Sequence, residues 1–319
     1  MSLRTLYAVM PALMLCGCGD DSSAAKTTPQ PELGPLSAWS DPVNLGPVVN
    51  SASNESGPSI SGDGLSLYFQ SNRPGGFGRT DMYVTQRATV NDPWEPPKDL
   101  GPILNAAGSF FNGMPEQSPD GHSLYFCSDG PGGFGGLDLW VSHRDNVRDD
   151  FAWQAPVNLG PNVNSPVDEC DPALLVDPQT GVVNLYFASL NRAGGTGDWD
   201  LFQSAQAADG RFGPSIPVSE LNTATRETGP TLRRDGLEII YTFSSSPGDA
   251  GLFILQSAMR GNTTAPWSPP VALPSNINAA GFNTRAAELS ADGTTLYFVS
   301  GRPGGSGAAD IWVSKRTRQ

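Results

Sequence analysis

Residues 58–69 read Pro58-Ser59-Ile60-Ser61-Gly62-Asp63-Gly64-Leu65-Ser66-Leu67-Tyr68-Phe69: a proline, an Asp-Gly turn and an apolar trio. The arrangement returns along the chain. Pro-x-x-x-x-Asp occurs at Pro58/Asp63, Pro115/Asp120, Pro172/Asp177 and Pro230/Asp235, with Ala287/Asp292 in the fifth place. Successive aspartates lie 57, 57, 58 and 57 residues apart. The trio recurs as Leu124-Tyr125-Phe126, Leu185-Tyr186-Phe187, Ile239-Ile240-Tyr241 and Leu296-Tyr297-Phe298. An aromatic marker (Trp39, Trp94, Trp153, Phe212, Trp267) and a later asparagine (Asn50, Asn105, Asn164, Asn222, Asn278) keep the same period. Periodicity of this kind is the signature of a repeat architecture.

The trios are apolar on consecutive residues, so strands built from them must be covered on both faces. The chain carries 37 Gly and 29 Pro, turn formers in a number that helices do not tolerate. Short strands covered on both faces by copies of themselves describe an all-β fold, a five-bladed β-propeller of four-stranded blades. A chain of 319 residues has room for one large domain or two ordinary ones, and the repeats make residues 38–319 a single domain. The Trp39 run precedes the first repeat, and the chain stops soon after Asp310-Ile311-Trp312-Val313. The N-terminal strand is therefore expected to pair with the last blade and close the ring, which removes an open sheet edge.

A glycine loop follows four of the trios, as in Arg73-Pro74-Gly75-Gly76-Phe77-Gly78, with an aspartate (Asp81, Asp138, Asp200, Asp310) three residues after its last marker glycine. A phosphate loop needs a helix N-terminus behind it, and this loop leads into a strand. Ca2+ is the rival, but one carboxylate per loop falls short of six to eight oxygen ligands. The loop thus reads as a long hairpin whose aspartate accepts from loop amides and pairs with Arg73, Arg192 or Arg302, and no cofactor is expected.

Residues 58–69 and their four counterparts resemble the WD40-like repeats called PD40, found in the propeller of TolB and in bacterial envelope lipoproteins. The resemblance covers nearly everything from Trp39 onward and implies fold more than activity. It departs from TolB itself, which has a further N-terminal domain and six blades.

The first residues form a processing segment. Arg4 precedes the apolar run Leu6 to Leu15, and Leu15-Cys16-Gly17-Cys18 resembles a lipoprotein lipobox. By that resemblance residues 1–17 are a signal peptide, Cys18 is acylated, and residues 18–37 are a polar, proline-bearing tether. Gly19 after the cysteine implies an outer-membrane location, with the chain anchored to the bilayer without crossing it. Of the remaining cysteines, Cys127 lies in a buried-looking strand run, where a small buried thiol is the expected state; pairing with Cys170 is the alternative in an oxidising envelope.

Net charge is −13 and no basic run appears, which excludes nucleic acid as a partner. Because features shared by every repeat read as architecture, function is sought where the copies differ. One position of the innermost strand carries Glu55, Asn112, Glu169, Glu227 and Thr284; four residues later stand Ser59, Glu116, Ala173, Thr231 and Glu288. With Asp171, the residues Glu55, Glu116, Glu169, Glu227 and Glu288 form a candidate acidic binding site on the axis. His122 and His143 lack the clustering of a metal site. The expected function is a monomeric, non-catalytic scaffold for an envelope protein or glycan, with Phe110, Phe111, Trp199 and Phe282 as candidate contacts. The alternative is a five-bladed-propeller glycoside hydrolase or lyase that uses axial carboxylates.

Overall fold

A computed structural model describes residues 35–108, 110–246 and 251–319. The signal segment, Cys18 and residues 18–34 of the tether lie outside the described residues, as do Pro247 to Ala250 of the irregular fourth-repeat loop.

Every regular element among the described residues is a strand. After β1 (Val43–Asn44) come β2 (Glu55–Ile60), β3 (Ser66–Ser71), β4 (Asp81–Gln86) and β5 (Lys98–Asp99), which form the first sheet. β6 (Asn112–Gln117), β7 (Ser123–Ser128), β8 (Asp138–His143) and β9 (Val157–Asn158) form the second. The third is β10 (Glu169–Val176), β11 (Val183–Leu190), β12 (Trp199–Ala205) and β13 (Ile216–Pro217). The fourth is β14 (Arg226–Leu232), β15 (Glu238–Ser244), β16 (Phe253–Met259) and β17 (Val271–Ala272). β18 (Thr284–Leu289), β19 (Thr295–Ser300) and β20 (Asp310–Lys315) complete the set with β1, where Val43 lies opposite Val313. All are four-stranded antiparallel sheets of the β-propeller type. Single parallel bridges link successive sheets at one end: Thr80 to Phe111, Trp199 to Arg226 and Ala309 to Asn54.

The trios form the second strand of each sheet, and Leu67, Tyr68 and Phe69 are completely buried. Their clusters lie between sheets: Tyr125, Leu139 and Val141 of the second pack against Leu174, Leu185 and Phe187 of the third. Each such side chain contributes about 1.5–3 kcal/mol when buried, so a sheet gains most of its stability from its neighbours. Cys127 of β7 and Cys170 of β10 are joined as a disulfide across this same boundary, which corrects the expected free thiol. Packing of the second sheet on the third brings their Cα atoms to 5.1 Å, within the range a disulfide needs.

The fourth strands have two residues each, and the marker asparagines continue their ladders. Met82 donates its N–H to Asn105 Oδ1 at 2.8 Å and accepts from Nδ2 at 3.0 Å. Asn50 does the same to Ile311, at 2.9 and 3.0 Å, and so joins the beginning of the described chain to its end. Pro35 to Ser37, placed in the tether by sequence, also pair with the C-terminal segment: Ser37 N–H donates to Thr317 at 2.8 Å and Leu36 bridges Arg318.

In the glycine loop the aspartate accepts from loop amides, as Asp81 does from Gly78 N–H at 2.9 Å and Asp200 from Thr196 at 2.9 Å. Gly76 is required because a Cβ there would stand 2.0 Å from Asp81 Oδ2. The arginines pair elsewhere than expected: Arg73 with Glu55 and Arg192 with Glu169, while Arg302 donates to the carbonyls of Asn276 and Ile277.

Candidate functional site at the end of the axis

The innermost strands β2, β6, β10, β14 and β18 each contain a bulge, where register shifts between Ser56 and Ser59, Gly113 and Glu116, Cys170 and Ala173, Thr228 and Thr231, and Arg285 and Glu288. The extra residue adopts a left-handed conformation at all five positions: Gly57 (φ 57°), Met114 (51°), Asp171 (56°), Gly229 (54°) and Ala286 (48°). Three of these are not glycine, and such a conformation costs a non-glycine residue of order 1–3 kcal/mol. Together they surround the narrow axial channel. Asp171 is the one carboxylate among the five.

Above this ring opens a funnel of about 250 Å³, lined among others by Asp171, Trp199, Phe111, Arg226, Arg285 and Gln70. Below it the channel narrows to about 20 Å³, where Glu116 and Glu288 face the axis, enough for a single water. Asp171 Oδ2 accepts from Gly229 N–H at 2.9 Å, so this side chain pins the next left-handed residue while bordering the funnel. Gln70 Oε1 and Thr242 Oγ1 do the same for Met114 and Ala286, at 2.8 and 3.0 Å. Arg226 is held by Asp198 at 3.0 Å and lies over Phe253.

Burial pushes the Asp171 carboxyl up to about 6, against the lowering effect of Gly229 N–H and of Arg285 and Arg226. Burial also raises Glu116, although Leu174 N–H and the Ser59 hydroxyl bond to it at 3.3 and 3.2 Å. Glu288 is raised further, first by burial and then by the charge of Glu116, despite a 3.0 Å bond from the Thr231 hydroxyl. These axial acids therefore hold protons at a pH where ordinary carboxylates have lost them.

The six sequence candidates separate into two groups. Asp171, Glu116 and Glu288 come together at the axis. Glu55, Glu169 and Glu227 do not: each is 0 % exposed and turned into its own sheet. Glu55 accepts from Ser51 N–H and Oγ (2.9 and 2.6 Å), from Ser71 (3.0 Å) and from Arg73 (2.9 Å). Glu169 repeats the pattern with Ser165, Ser189 and Arg192, and Glu227 with Thr223. They brace the turn four residues upstream. Phe111 and Trp199 line the funnel as candidate contacts, whereas Phe282 lies outside it. Arg226 and Arg285 were missed by the sequence reading. Their signal is that they stand one residue from Glu227 and Thr284, on the opposite face of the same strands. Among the described residues no group of three His, Cys, Asp or Glu is placed to hold a metal ion.

No protein-family model matches the chain, and no curated protein sequence does. Solved structures do. The catalytic domain of a GH62 α-L-arabinofuranosidase from Coprinopsis cinerea aligns with 88% of this chain and 97% of its own, at 13% identity and TM-score 0.55. An α-L-arabinofuranosidase from Lactobacillus brevis aligns over 86% and 92%, at 14% identity and TM-score 0.58. A Bacillus subtilis arabinanase aligns over 86% and 97%, at 13% identity and TM-score 0.58. At such identities the likeness is one of fold. It corrects two expectations. The repeats are not placed with PD40 proteins of the TolB type, because these three matches, over 92–97% of the matched chains, are to arabinofuranosidase and arabinanase folds. The expected non-catalytic scaffold is corrected by the same finding: the three structures just described, aligned over 92–97% of their own length, are of glycoside hydrolases.

Proposed function

We propose that the chain is a glycoside hydrolase that binds a glycan in the axial funnel and uses axial carboxylates for proton transfer. The observation that carries this reading is the placement of Asp171. One left-handed position in five bears a carboxylate, and it lies on the funnel floor between aromatic and guanidinium side chains. Trp199 and Phe111 supply apolar faces for a sugar ring, and Arg226, Arg285 and Gln70 supply donors for its hydroxyls. Asp171, raised to about 6, is poised to take or give a proton near neutral pH. Glu116 and Glu288, below a passage wide enough for one water, hold protons on the same axis. The fold likeness to arabinofuranosidases and an arabinanase supports the substrate class, an arabinose-bearing polysaccharide.

The same reading takes the sheets as a five-bladed ring closed by β1 on β20, as the Val43–Val313 pairing suggests. It keeps the chain lipid-anchored through Cys18 at the outer membrane; palmitate labelling that survives Cys18→Ser would refute that part. The catalytic part is tested by incubating the protein with arabinan and arabinoxylan and measuring new reducing ends. Cleavage lost in Asp171→Asn supports it. An unsaturated, ultraviolet-absorbing product would show elimination in place of hydrolysis, and no cleavage of either polymer would refute it.

A further inference from the structure

The starts of β10 and β12 border the funnel, through Asp171 and Trp199. Their far ends border a different and larger cavity of about 740 Å³ between the third and fourth sheets. Its lining includes Asp177, Asn184, Gln203, Glu220, Arg260 and Trp267.

What this cavity recognises can be read from its sister grooves. Four grooves between successive sheets hold the same cation in the same pose: Arg87 over Trp94, Arg144 over Trp153, Arg260 over Trp267 and Arg316 over Trp39, 4.1 to 4.3 Å from the ring centroid. In each, Nε donates to a turn carbonyl: Gly64, Gly121, Gly236 or Gly293. The Nη atoms then meet a carboxylate in two of the grooves. Arg144 pairs with Asp150 at 2.5 Å, and Arg316 with Glu238 at 2.6 Å. In the third-to-fourth groove Asn184 occupies the position of Glu238, one residue before the trio. Among the described residues no carboxylate comes within ion-pair distance of Arg260. Arg87 shares that property, but the large cavity accompanies Arg260.

We propose that Arg260 receives the carboxylate of a hexuronic acid residue in a polysaccharide, in a second glycan site apart from the funnel. The remaining lining fits the rest of such a sugar. Asp177, Glu220, Asn184 and Gln203 accept from hydroxyls, and Asp177 is fixed by the backbone N–H groups of Gln179 and Thr180 at 2.9 Å each. A single cation flanked by two acids suits one carboxylate amid hydroxyls and disfavours an acidic peptide, whose further charges Asp177 and Glu220 would repel. The volume falls within the range of small-molecule sites. The site concerns binding alone and stands whether or not the funnel cleaves a glycan.

The test is calorimetric titration of the whole protein with a galacto-oligosaccharide bearing a single galacturonate and with a xylo-oligosaccharide bearing a single glucuronate, against galactotriose as the neutral probe and triglutamate as the acidic peptide. At least one uronate probe is expected to bind, and Arg260→Met should weaken it at least tenfold. Thr264→Trp, a change at the exposed rim that leaves the Arg260–Trp267 stack alone, should do likewise. Asp171→Asn should leave this binding unchanged. The proposal is overturned if neither uronate binds, if galactotriose or triglutamate binds as tightly, or if Arg260→Met and Thr264→Trp bind like the parent.

Discussion

Replacing one marker asparagine with alanine tests how the sheets are held together. Asn105 is fully buried and makes both ladder bonds to Met82, 2.8 Å from its N–H and 3.0 Å to its carbonyl, with a third to Asp99 at 2.9 Å. Asn105→Ala leaves the Met82 N–H buried without a partner, while the Met82 carbonyl keeps the Leu100 N–H at 3.0 Å; an orphaned buried donor costs about 1–3 kcal/mol. That single donor sets the expected loss at about 1–3 kcal/mol. At roughly 2.1 cal/mol/K per residue of unfolding entropy, a domain of this size loses about 2–5 °C in Tm for that change. Urea and thermal unfolding of the variant measure it directly. Because Asn50, Asn164, Asn222 and Asn278 make the same pair of bonds to Ile311, Leu139, Leu201 and Leu255, the five alanine variants should fall in one narrow range. A loss below about 1 kcal/mol at Asn105, or a spread in which Asn50 alone is silent, would refute the reasoning; the latter would mean that the chain ends are not joined as described.

Three further outcomes follow from the geometry. The Cys127–Cys170 bridge spans 43 residues of sequence, so Cys170→Ser should cost about 4 kcal/mol on the chain-entropy account, read as a lower urea midpoint that reducing agent reproduces in the parent and leaves unaltered in the variant. Asp171 has a folded pKa raised to about 6, above the unfolded value near 4. Its stabilising contribution is therefore present below about pH 4 and lost as pH rises through 6, and Asp171→Asn should be more stable than the parent at pH 7.5 and indistinguishable from it near pH 4. Glu169→Ala removes the acceptor for Ser165, Ser189 and Arg192 and should cost about 3–5 kcal/mol, as breaking buried pairs does, while turnover per folded molecule stays within a few fold; a variant of parental stability that is inactive would make Glu169 a functional group.

The sheets were legible because each carries a trio that has to be covered on both faces, and a period near 57 residues exposes every copy. The site was legible only to residue type. A period-two reading puts Glu55, Glu169 and Glu227 on the axis, but the bulge between Ser56 and Ser59 and its counterparts reverses which side chains face inward. A bulge leaves little trace in sequence when its extra residue is Met114, Asp171 or Ala286 in place of glycine. Arg226 and Arg285 were hidden for a related reason, since their meaning comes from lining one funnel with Asp171 from three different strands. The disulfide joins the second strand of one repeat to the first strand of the next, a pairing that only sheet packing brings together. The PD40 likeness failed because an Asp-Gly turn before an apolar trio answers the needs of a hairpin between covered strands, which unrelated propellers share.

The most direct measurement compares parent and Asp171→Asn in release of reducing ends from arabinan and arabinoxylan at pH 7, with thermal unfolding of both recorded at the same pH. The account predicts cleavage by the parent and a loss of at least about 100-fold in the variant, the lower bound for removing a proton-transfer group, with unfolding temperature unchanged or higher. Cleavage at the parental rate by a folded Asp171→Asn protein would contradict it.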